Sequence, residues 1–246
     1  MEEATPLNKK MNEQMQRYMA LHFVDCEALV RRTGASKETI DELLKVGAAP
    51  GVIYVQSNDG SWWSALGAYV GREEKIPPAT GLSWYNPAAV WWLRRALLSV
   101  KSGQSVVEAS ANNKAHFMKG FMTAIGSVEY ASLAYPNCFD DAEVLADNAR
   151  TTCDAEWDAW VKGAYGVCMR RFSAEGCIEK EALRARIVLA LENEDHKLAD
   201  DVLLSMAERL EALVLPFAPW ERPGGTPGKA IDEPLARLGL GAEEPY

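Results

Sequence analysis

The sequence lacks long hydrophobic runs and lacks the pattern of a secretion signal. No stretch reaches the about 18 apolar residues that a membrane-spanning helix requires. The first twenty residues are polar and contain no apolar segment of the kind found in signal peptides. Hydrophobic residues nevertheless make up 48% of the 246-residue chain, which is sufficient for a buried core. These features predict a cytoplasmic protein with no membrane partner.

Metal-binding and disulfide patterns are also missing. The five cysteines form no C-x-x-C pair, so neither a zinc site nor a disulfide framework is indicated, and buried free thiols are expected. A di-iron carboxylate bundle needs Glu three residues before His, and none of the three histidines has this neighbour. The sequence therefore predicts no metal. The cysteines are Cys26, Cys138, Cys153, Cys168 and Cys177.

Nucleotide and hydrolase motifs are absent as well. The chain contains no G-x-x-x-x-G-K-[ST], no G-x-G-x-x-G and no G-x-S-x-G, so a protein without a cofactor is expected. Its formal net charge of −9 repels phosphate backbones, which argues against a general affinity for nucleic acid.

The N-terminal quarter of the sequence has a helix-turn-helix pattern. Asp25 and Ser36 are N-cap residues, and Gly34 and Gly47 are helix-ending residues. Alternating residues with an S-N-D-G turn between them then predict a hairpin. The expected elements are helices over 27–33 and 37–46 and strands over 52–56 and 61–65.

This order of elements resembles the winged helix-turn-helix of MerR-type and excisionase-type modules over residues 22–66. In such modules the second helix presents cationic and amide side chains to the major groove. Here residues 22–60 carry four positive and six negative side chains, a net of −2. Two interpretations stay open, a DNA-binding regulator and a module used for packing or partner contact.

Helical patterns dominate the rest of the chain, after a proline-containing linker over 71–83. We expect a mainly α fold, with the helix-turn-helix and hairpin wing packed on a C-terminal helical bundle. The predicted helices lie at 87–100, 105–127, 140–151, 154–170, 174–192 and 197–214, with Ser173 capping the fifth. The predicted division is a module over 1–70, a bundle over 84–221 and a flexible, Pro- and Gly-rich tail over 222–246.

Polar residues on one predicted helix face are the first candidate site. Glu108, Asn112 and His116 follow one another at four-residue spacing, which places them on the same side of the long helix. A carboxylate and an imidazole on one face can serve as general base or acid. The alternative is a solvated polar face.

The second candidate is the segment 157–171, rich in aromatic residues and glycine. Gly163 and Gly166 interrupt a helical pattern, with Tyr165 between them and Trp157 before them. Glycine at such a position permits close approach of another backbone or a ligand. The segment is therefore either a pocket wall or a tight packing contact.

Three stretches together resemble a bacterial family of unknown function whose members are labelled natural-product biosynthesis proteins. They are 157–170 with its G-A-Y-G-V-C, S-A-E-G-C-I-E-K-E at 173–181, and L-P-F-A-P-W-E-R at 215–222. The resemblance extends over residues 18–222. It implies a role in secondary metabolism, such as antibiotic biosynthesis, without a fixed reaction.

The resemblance implies a cofactor-independent tailoring or accessory protein that acts on a small amine-bearing or carrier-tethered intermediate. One implied reaction is a non-redox ring closure such as aziridine formation, which needs a base and groups that stabilise a leaving anion. The candidate catalytic residues are His116, Glu108 and Tyr165. The candidate substrate-binding residues are Asn112, Trp157, Arg170, Lys180 and Glu181. The competing hypotheses are a pathway-specific regulator and a non-catalytic partner subunit in a hetero-oligomer.

Overall fold

The structure is a computed structural model that describes residues 6–69, 71, 74, 76–78 and 80–241. The described residues leave out 1–5 and 70 of the predicted module, 72, 73, 75 and 79 of the predicted linker, and 242–246 of the predicted tail. The chain divides into two compact units. Unit 1 contains residues 1–113 and 159–166, and unit 2 contains residues 114–158 and 167–246. The fold is mainly helical with a small antiparallel sheet, as expected for its class.

Unit 1 combines short helices with a four-stranded antiparallel sheet in the order β1-β4-β2-β3. Its helices are α1 Pro6–His22, α2 Cys26–Thr33, α3 Lys37–Lys45, α4 Ala65–Tyr69 and α5 Ala89–Lys101, followed by the start of α6 Val106–Ala124. Its strands are β1 Val24–Asp25, β2 Val52–Gln56, β3 Trp62–Ser64 and β4 Leu82–Tyr85.

Helix caps form where the sequence predicts them. The Asp25 carboxylate accepts a hydrogen bond from the Ala28 amide at 2.7 Å, and the Ser36 hydroxyl accepts one from the Thr39 amide at 3.2 Å. Both bonds satisfy amides that the first turn of a helix leaves without partners. Helix α3 therefore begins at the expected residue, and α2 begins at Cys26, one residue before the predicted start.

Aromatic and aliphatic side chains form the core of unit 1. Tyr54 on β2 has edge contacts with Phe23 and Tyr18, at ring-centroid distances of 5.3 and 6.4 Å. Trp92 of α5 and Trp160 are buried edge to face at 6.3 Å. Ile53, Tyr54 and Val55 are consecutive on β2 and all buried, so this strand is covered on both of its faces.

The segment 159–166 is tied to unit 1 by its backbone. The Gly51 amide donates to the Trp160 carbonyl at 3.1 Å, and the Asn86 side-chain amide donates to the Gly166 carbonyl at 2.7 Å. At Gly163, where φ is +78°, a Cβ would lie 2.0 Å from the carbonyl oxygen of Val52. This is the close backbone approach that glycine in a helical pattern indicates.

Unit 2 is built around three long helices. It contains the end of α6, α7 Ala131–Ala134, the hairpin β5 Phe139–Asp140 with β6 Glu143–Val144, most of α8 Ala146–Val161, α9 Ala174–Glu192, α10 Asp200–Leu213 and α11 Glu233–Arg237. Short 3-10 turns at Pro136–Cys138 and Glu194–His196 and a π-helix at Gly228–Asp232 complete it. Helix α9 contacts both α7 and α10. Phe117, Phe121 and Trp157 pack in its core.

Two predicted segments differ in the structure. The helices predicted at 140–151 and 154–170 are one helix, α8, because T-T-C-D at 151–154 contains no helix breaker and the helix ends shortly before Gly163. The predicted tail contains the π-helix and α11, which contact α10. Arg222 holds this segment by three hydrogen bonds of 2.7–3.0 Å to the Asp232 carboxylate. None of the described helices is long and apolar enough to span a membrane.

The contact at Gly163 gives a stability prediction with a matched control. Gly34 has a similar φ of +72°, but a Cβ there would meet nothing within 4 Å. Gly34→Ala should therefore cost about 1 kcal/mol for the left-handed backbone alone. Gly163→Ala should cost about 1–3 kcal/mol more, because the methyl group collides with a backbone carbonyl. Urea denaturation of both variants measures this difference, and equal losses would contradict the close approach.

Candidate functional site

A pocket of about 430 Å³ lies in unit 2 and is the candidate functional site. Three separate stretches form it: the turn between α6 and α7, one side of α9, and the N-terminal three turns of α10. Such a volume lies in the range of small-molecule sites. The lining residues are Val128, Glu129, Tyr130, Glu179, Leu183, Asp201, Val202, Ser205, Met206 and Arg209.

Aliphatic side chains form the inner part of this pocket. Leu183 on α9 and Met206 on α10 are buried at 4% and 6% exposure, so they belong to the core as well as to the pocket. Val128 and Val202 continue the apolar surface outward. The thioether of Met206 adapts its shape to different neighbours. Such a surface is able to contact the hydrocarbon part of a ligand.

Charged side chains form the outer part, and acidic groups are in excess. Three carboxylates and one guanidinium line the pocket, so the lining has a net charge of −2. Glu179 and Arg209 pair with each other at 2.5 Å. Within the described ranges, Glu129 and Asp201 form no ion pair with any side chain. Their negative charges are therefore not neutralised by a basic side chain, although Glu129 accepts a hydrogen bond from the Tyr130 hydroxyl.

Tyr130 at the edge of the pocket has an unusual backbone. Its φ of 64° and ψ of 12° lie in the left-handed region, which a bulky side chain rarely adopts. The Arg186 guanidinium carbon lies 5.7 Å from the centre of its ring, a cation–π distance. A hydrogen bond to the Glu129 carboxylate raises the pKa of the Tyr130 hydroxyl. Backbone strain of this kind is found at ligand sites.

The opposite side of α9 carries a buried ion pair. Lys180 and Glu181 form a 2.5 Å contact, with Lys180 only 3% exposed, and Arg184 donates to the other Glu181 oxygen at 3.0 Å. Burial alone would raise the pKa of Glu181, but Lys180 and Arg184 outweigh it and lower that pKa below 4.5. Burial likewise opposes the charge of Lys180, yet Cys168 and Glu181 raise its pKa above 10.5. Both groups are charged at neutral pH.

A second polar group lies in the interior of unit 2. The Tyr135 hydroxyl donates to one oxygen of the buried Glu156 carboxylate at 3.3 Å, and the Cys177 thiol donates to the other at 3.6 Å. Burial raises the pKa of Cys177 well above 9.0, so the thiol keeps its proton. In the part of the chain that the structure describes, no His, Cys, Asp or Glu cluster is arranged to hold a metal ion.

The polar face predicted on the long helix is solvent-exposed. Glu108, Asn112 and His116 all lie on α6 with exposed side chains. The Glu108 carboxylate accepts hydrogen bonds from the amide and hydroxyl of Ser105, each at 2.8 Å, and these lower the pKa of Glu108. This is a capping box at the start of α6. Asn112 donates to Gln104 at 2.8 Å.

The other predicted site residues occupy separate places. Trp157 is buried against Phe117 at 5.4 Å, Tyr165 is half-buried in unit 1, and Arg170 is exposed. Lys180 and Glu181 are brought together as the ion pair on α9. None of these predicted residues lines the pocket, although Glu179 beside them does. The pocket-lining residues form no short sequence motif. The one sequence feature that could have indicated them is the pair of acidic residues at the start of α10.

The pocket lies in the part of the chain that matches a protein family. A family of unknown function, DUF6058, matches residues 113–239, just over half of the chain. The chain belongs to this family. All ten pocket-lining residues lie inside the matched DUF6058 range. No curated protein and no solved structure matches the chain.

The strain at Tyr130 is testable by two truncations. Tyr130→Gly and Tyr130→Ala both remove the ring, but only glycine accepts a φ of 64° without cost. The glycine variant should therefore be more stable than the alanine variant by about 0.5–1 kcal/mol in urea denaturation. An alanine variant that is the more stable of the two, as at ordinary helical positions, would contradict the left-handed backbone.

The Lys180–Glu181 pair predicts a pH dependence. Because the pKa of Glu181 is lower in the folded state, its stabilisation is present above about pH 4.5 and is lost as the pH falls through the folded value. Glu181→Gln should lower the free energy of unfolding by about 3 kcal/mol at pH 6.5, and by less at pH 3. Urea denaturation at both pH values measures the change.

The matched control for this prediction is Glu233→Gln on α11. Glu233 pairs with Arg237 at the surface, where both side chains are about half exposed, so its loss should cost under about 1 kcal/mol. Equal losses for Glu181→Gln and Glu233→Gln, or a loss at Glu181 that does not change with pH, would show that the interior pair is not formed.

Proposed function

We propose that the chain is a cofactor-independent tailoring or accessory protein of bacterial natural-product biosynthesis that binds a small amine-bearing intermediate. The binding site in this proposal is the pocket of unit 2. The observation that carries it is the pocket lining, in which Glu129 and Asp201, two carboxylates that form no ion pair within the described ranges, occur together with the apolar side chains of Leu183 and Met206. An ammonium group with a hydrocarbon chain matches both parts.

The electrostatics of the pocket support an amine over an acid. A carboxylate ligand would meet three acidic side chains and a single arginine that is already paired with Glu179. An ammonium group would instead donate charge-assisted hydrogen bonds to Glu129 and Asp201, and such bonds are the stronger kind. The hydrocarbon part of the ligand would contact Met206, Leu183 and Val202.

The biosynthetic context of the proposal rests on the resemblance described above. The stretches 173–181 and 215–222 that carry it lie in the DUF6058 range, and the first includes Glu179 of the pocket. For a ring closure, a carboxylate would take a proton from the bound ammonium group. The freed nitrogen lone pair would form the new C–N bond as the leaving group departs with its electron pair.

A second candidate function is a DNA-binding regulator, and the order of elements in unit 1 favours it. Helices α2 and α3 flank Gly34, which has a left-handed φ of +72°, and the β2–β3 hairpin follows. However, Glu38, Asp41 and Glu42 are all exposed on α3. Because these carboxylates repel phosphates, we propose that the helix-turn-helix-like module serves packing or partner contact.

Amine binding is testable with three small probes of equal length: pentylamine, pentan-1-ol and pentanoate. Pentylamine should bind with a Kd of about millimolar size, as expected for so few atoms, and the other two should bind more weakly. The double variant Glu129→Gln/Asp201→Asn should weaken pentylamine binding about tenfold, because it removes two charged acceptors. Ligand-observed NMR titration gives these affinities.

The control for the titration is Asp147→Asn. Asp147 is a solvent-exposed carboxylate at the start of α8, with 96% of its side chain exposed, so it changes the net charge without touching the pocket. This variant should bind pentylamine as the unsubstituted chain does. Equal binding of all three probes, or equal losses in both variants, would refute the proposed site.

A further inference from the structure

Helix α5 in unit 1 presents an exposed surface that the proposed amine site does not use. Trp91 is 51% exposed and Leu98 is 68% exposed. Arg94 and Lys101 are also exposed, and the spacing of three, four and three residues places all four side chains on one side of the helix. We name Trp91, Arg94, Leu98 and Lys101 the docking stripe.

The charge of this stripe is opposite to that of the chain. Helix α5 has the sequence AVWWLRRALLSVK, with three basic residues and no acidic residue. Among the described helices of eight or more residues, it alone contains neither Asp nor Glu. The whole chain carries a net charge of −9. A positive helix on a negative protein is a local feature that attracts acidic partners.

Arg94 is held in place while it stays exposed. Its Nε and Nη2 atoms donate to the Arg32 carbonyl at 3.1 and 2.5 Å. A guanidinium has five N–H groups, so three remain for a carboxylate. Because the side chain is already ordered, little rotamer entropy is lost when a partner binds. The same contact joins α5 to the last turn of α2, where Arg31 and Arg32 are exposed.

We propose that the docking stripe binds an acidic segment of a partner protein, one that presents apolar side chains beside carboxylates on a helix face. Trp91 and Leu98 would contact the apolar side chains, and Arg94 and Lys101 the carboxylates. Tryptophan and arginine are the residues that most often dominate binding energy at protein interfaces. Nucleic acid is a less suitable partner for this stripe. Trp91 and Leu98 are at least half exposed, and a phosphate backbone offers these apolar side chains no favourable contact.

The test uses two labelled synthetic 18-residue helical peptides. One has leucines along one face flanked by glutamates, and the other has lysine in place of every glutamate. The glutamate peptide should bind the full-length chain, more weakly as salt rises, and the lysine peptide should not. The double variant Trp91→Ser/Leu98→Ser should weaken binding at least about tenfold. Fluorescence anisotropy measures both affinities.

Controls separate this surface from other exposed residues. Leu133→Ser removes an exposed leucine of α7 and should leave binding unchanged. Equal affinity for both peptides, no binding of either, or no effect of the α5 variant would overturn the proposal. So would binding of a 30-base-pair DNA duplex that Arg31→Gln/Arg32→Gln abolishes. A dimer in sedimentation that Trp91→Ser/Leu98→Ser dissociates would assign the stripe to a second copy instead.

Discussion

The orientation of α9 about its own axis determines where the chemistry of unit 2 lies. Residues 177, 180, 181 and 184 follow one side of this helix, and residues 179, 183 and 186 follow the other, because an α-helix turns 100° per residue. The first side holds the Lys180–Glu181 pair and the Cys177 thiol. The second side faces the pocket through Glu179 and Leu183. A rotation of α9 about its axis would move the Lys180–Glu181 pair toward solvent. It would also move Glu179 and Leu183 away from the pocket.

The interior ion pair therefore fixes the orientation of α9, and with it the positions of the two pocket residues on that helix. Two desolvated charges are tolerated only when each has a partner, and here Lys180 and Arg184 share the Glu181 carboxylate. A misaligned α9 would leave a buried charge uncompensated, which gives this orientation a large energetic advantage. Tyr130 depends on the same helix. Its strained backbone is held by the packing of α7 on α9 and by the contact of its ring with Arg186.

Local signals in the sequence predicted much of the fold. The caps at Asp25, Ser36 and Ser173 and the turn at Gly34 are each determined by neighbours within four residues, so single-sequence reasoning finds them. Strand β4 was missed and assigned in part to a linker, because its residues L-S-W-Y show no clear alternation and are fixed by pairing with β2 and β1. The mainly helical class is confirmed, while the winged arrangement remains a proposal.

The candidate site was harder to predict because its parts are distant in the sequence. Residues 128–130, 179–183 and 201–209 meet only through the packing of α7, α9 and α10. No local pattern marks the left-handed Tyr130 or distinguishes Asp201 from an ordinary helix-start acid. Glu108, Asn112 and His116 did share a helix face, yet periodicity cannot tell a cleft from solvent, and these side chains are exposed.

Nuclear Overhauser effects from pentylamine to methyl-labelled protein locate the bound amine most directly. With the methyl groups of Met, Leu and Val labelled with carbon-13, we expect contacts from the pentyl chain to Met206, Leu183 and Val202. We also expect these contacts to disappear in the Glu129→Gln/Asp201→Asn variant. Contacts to methyl groups elsewhere in the chain, with none to these three residues, would contradict the claim that this pocket binds amines.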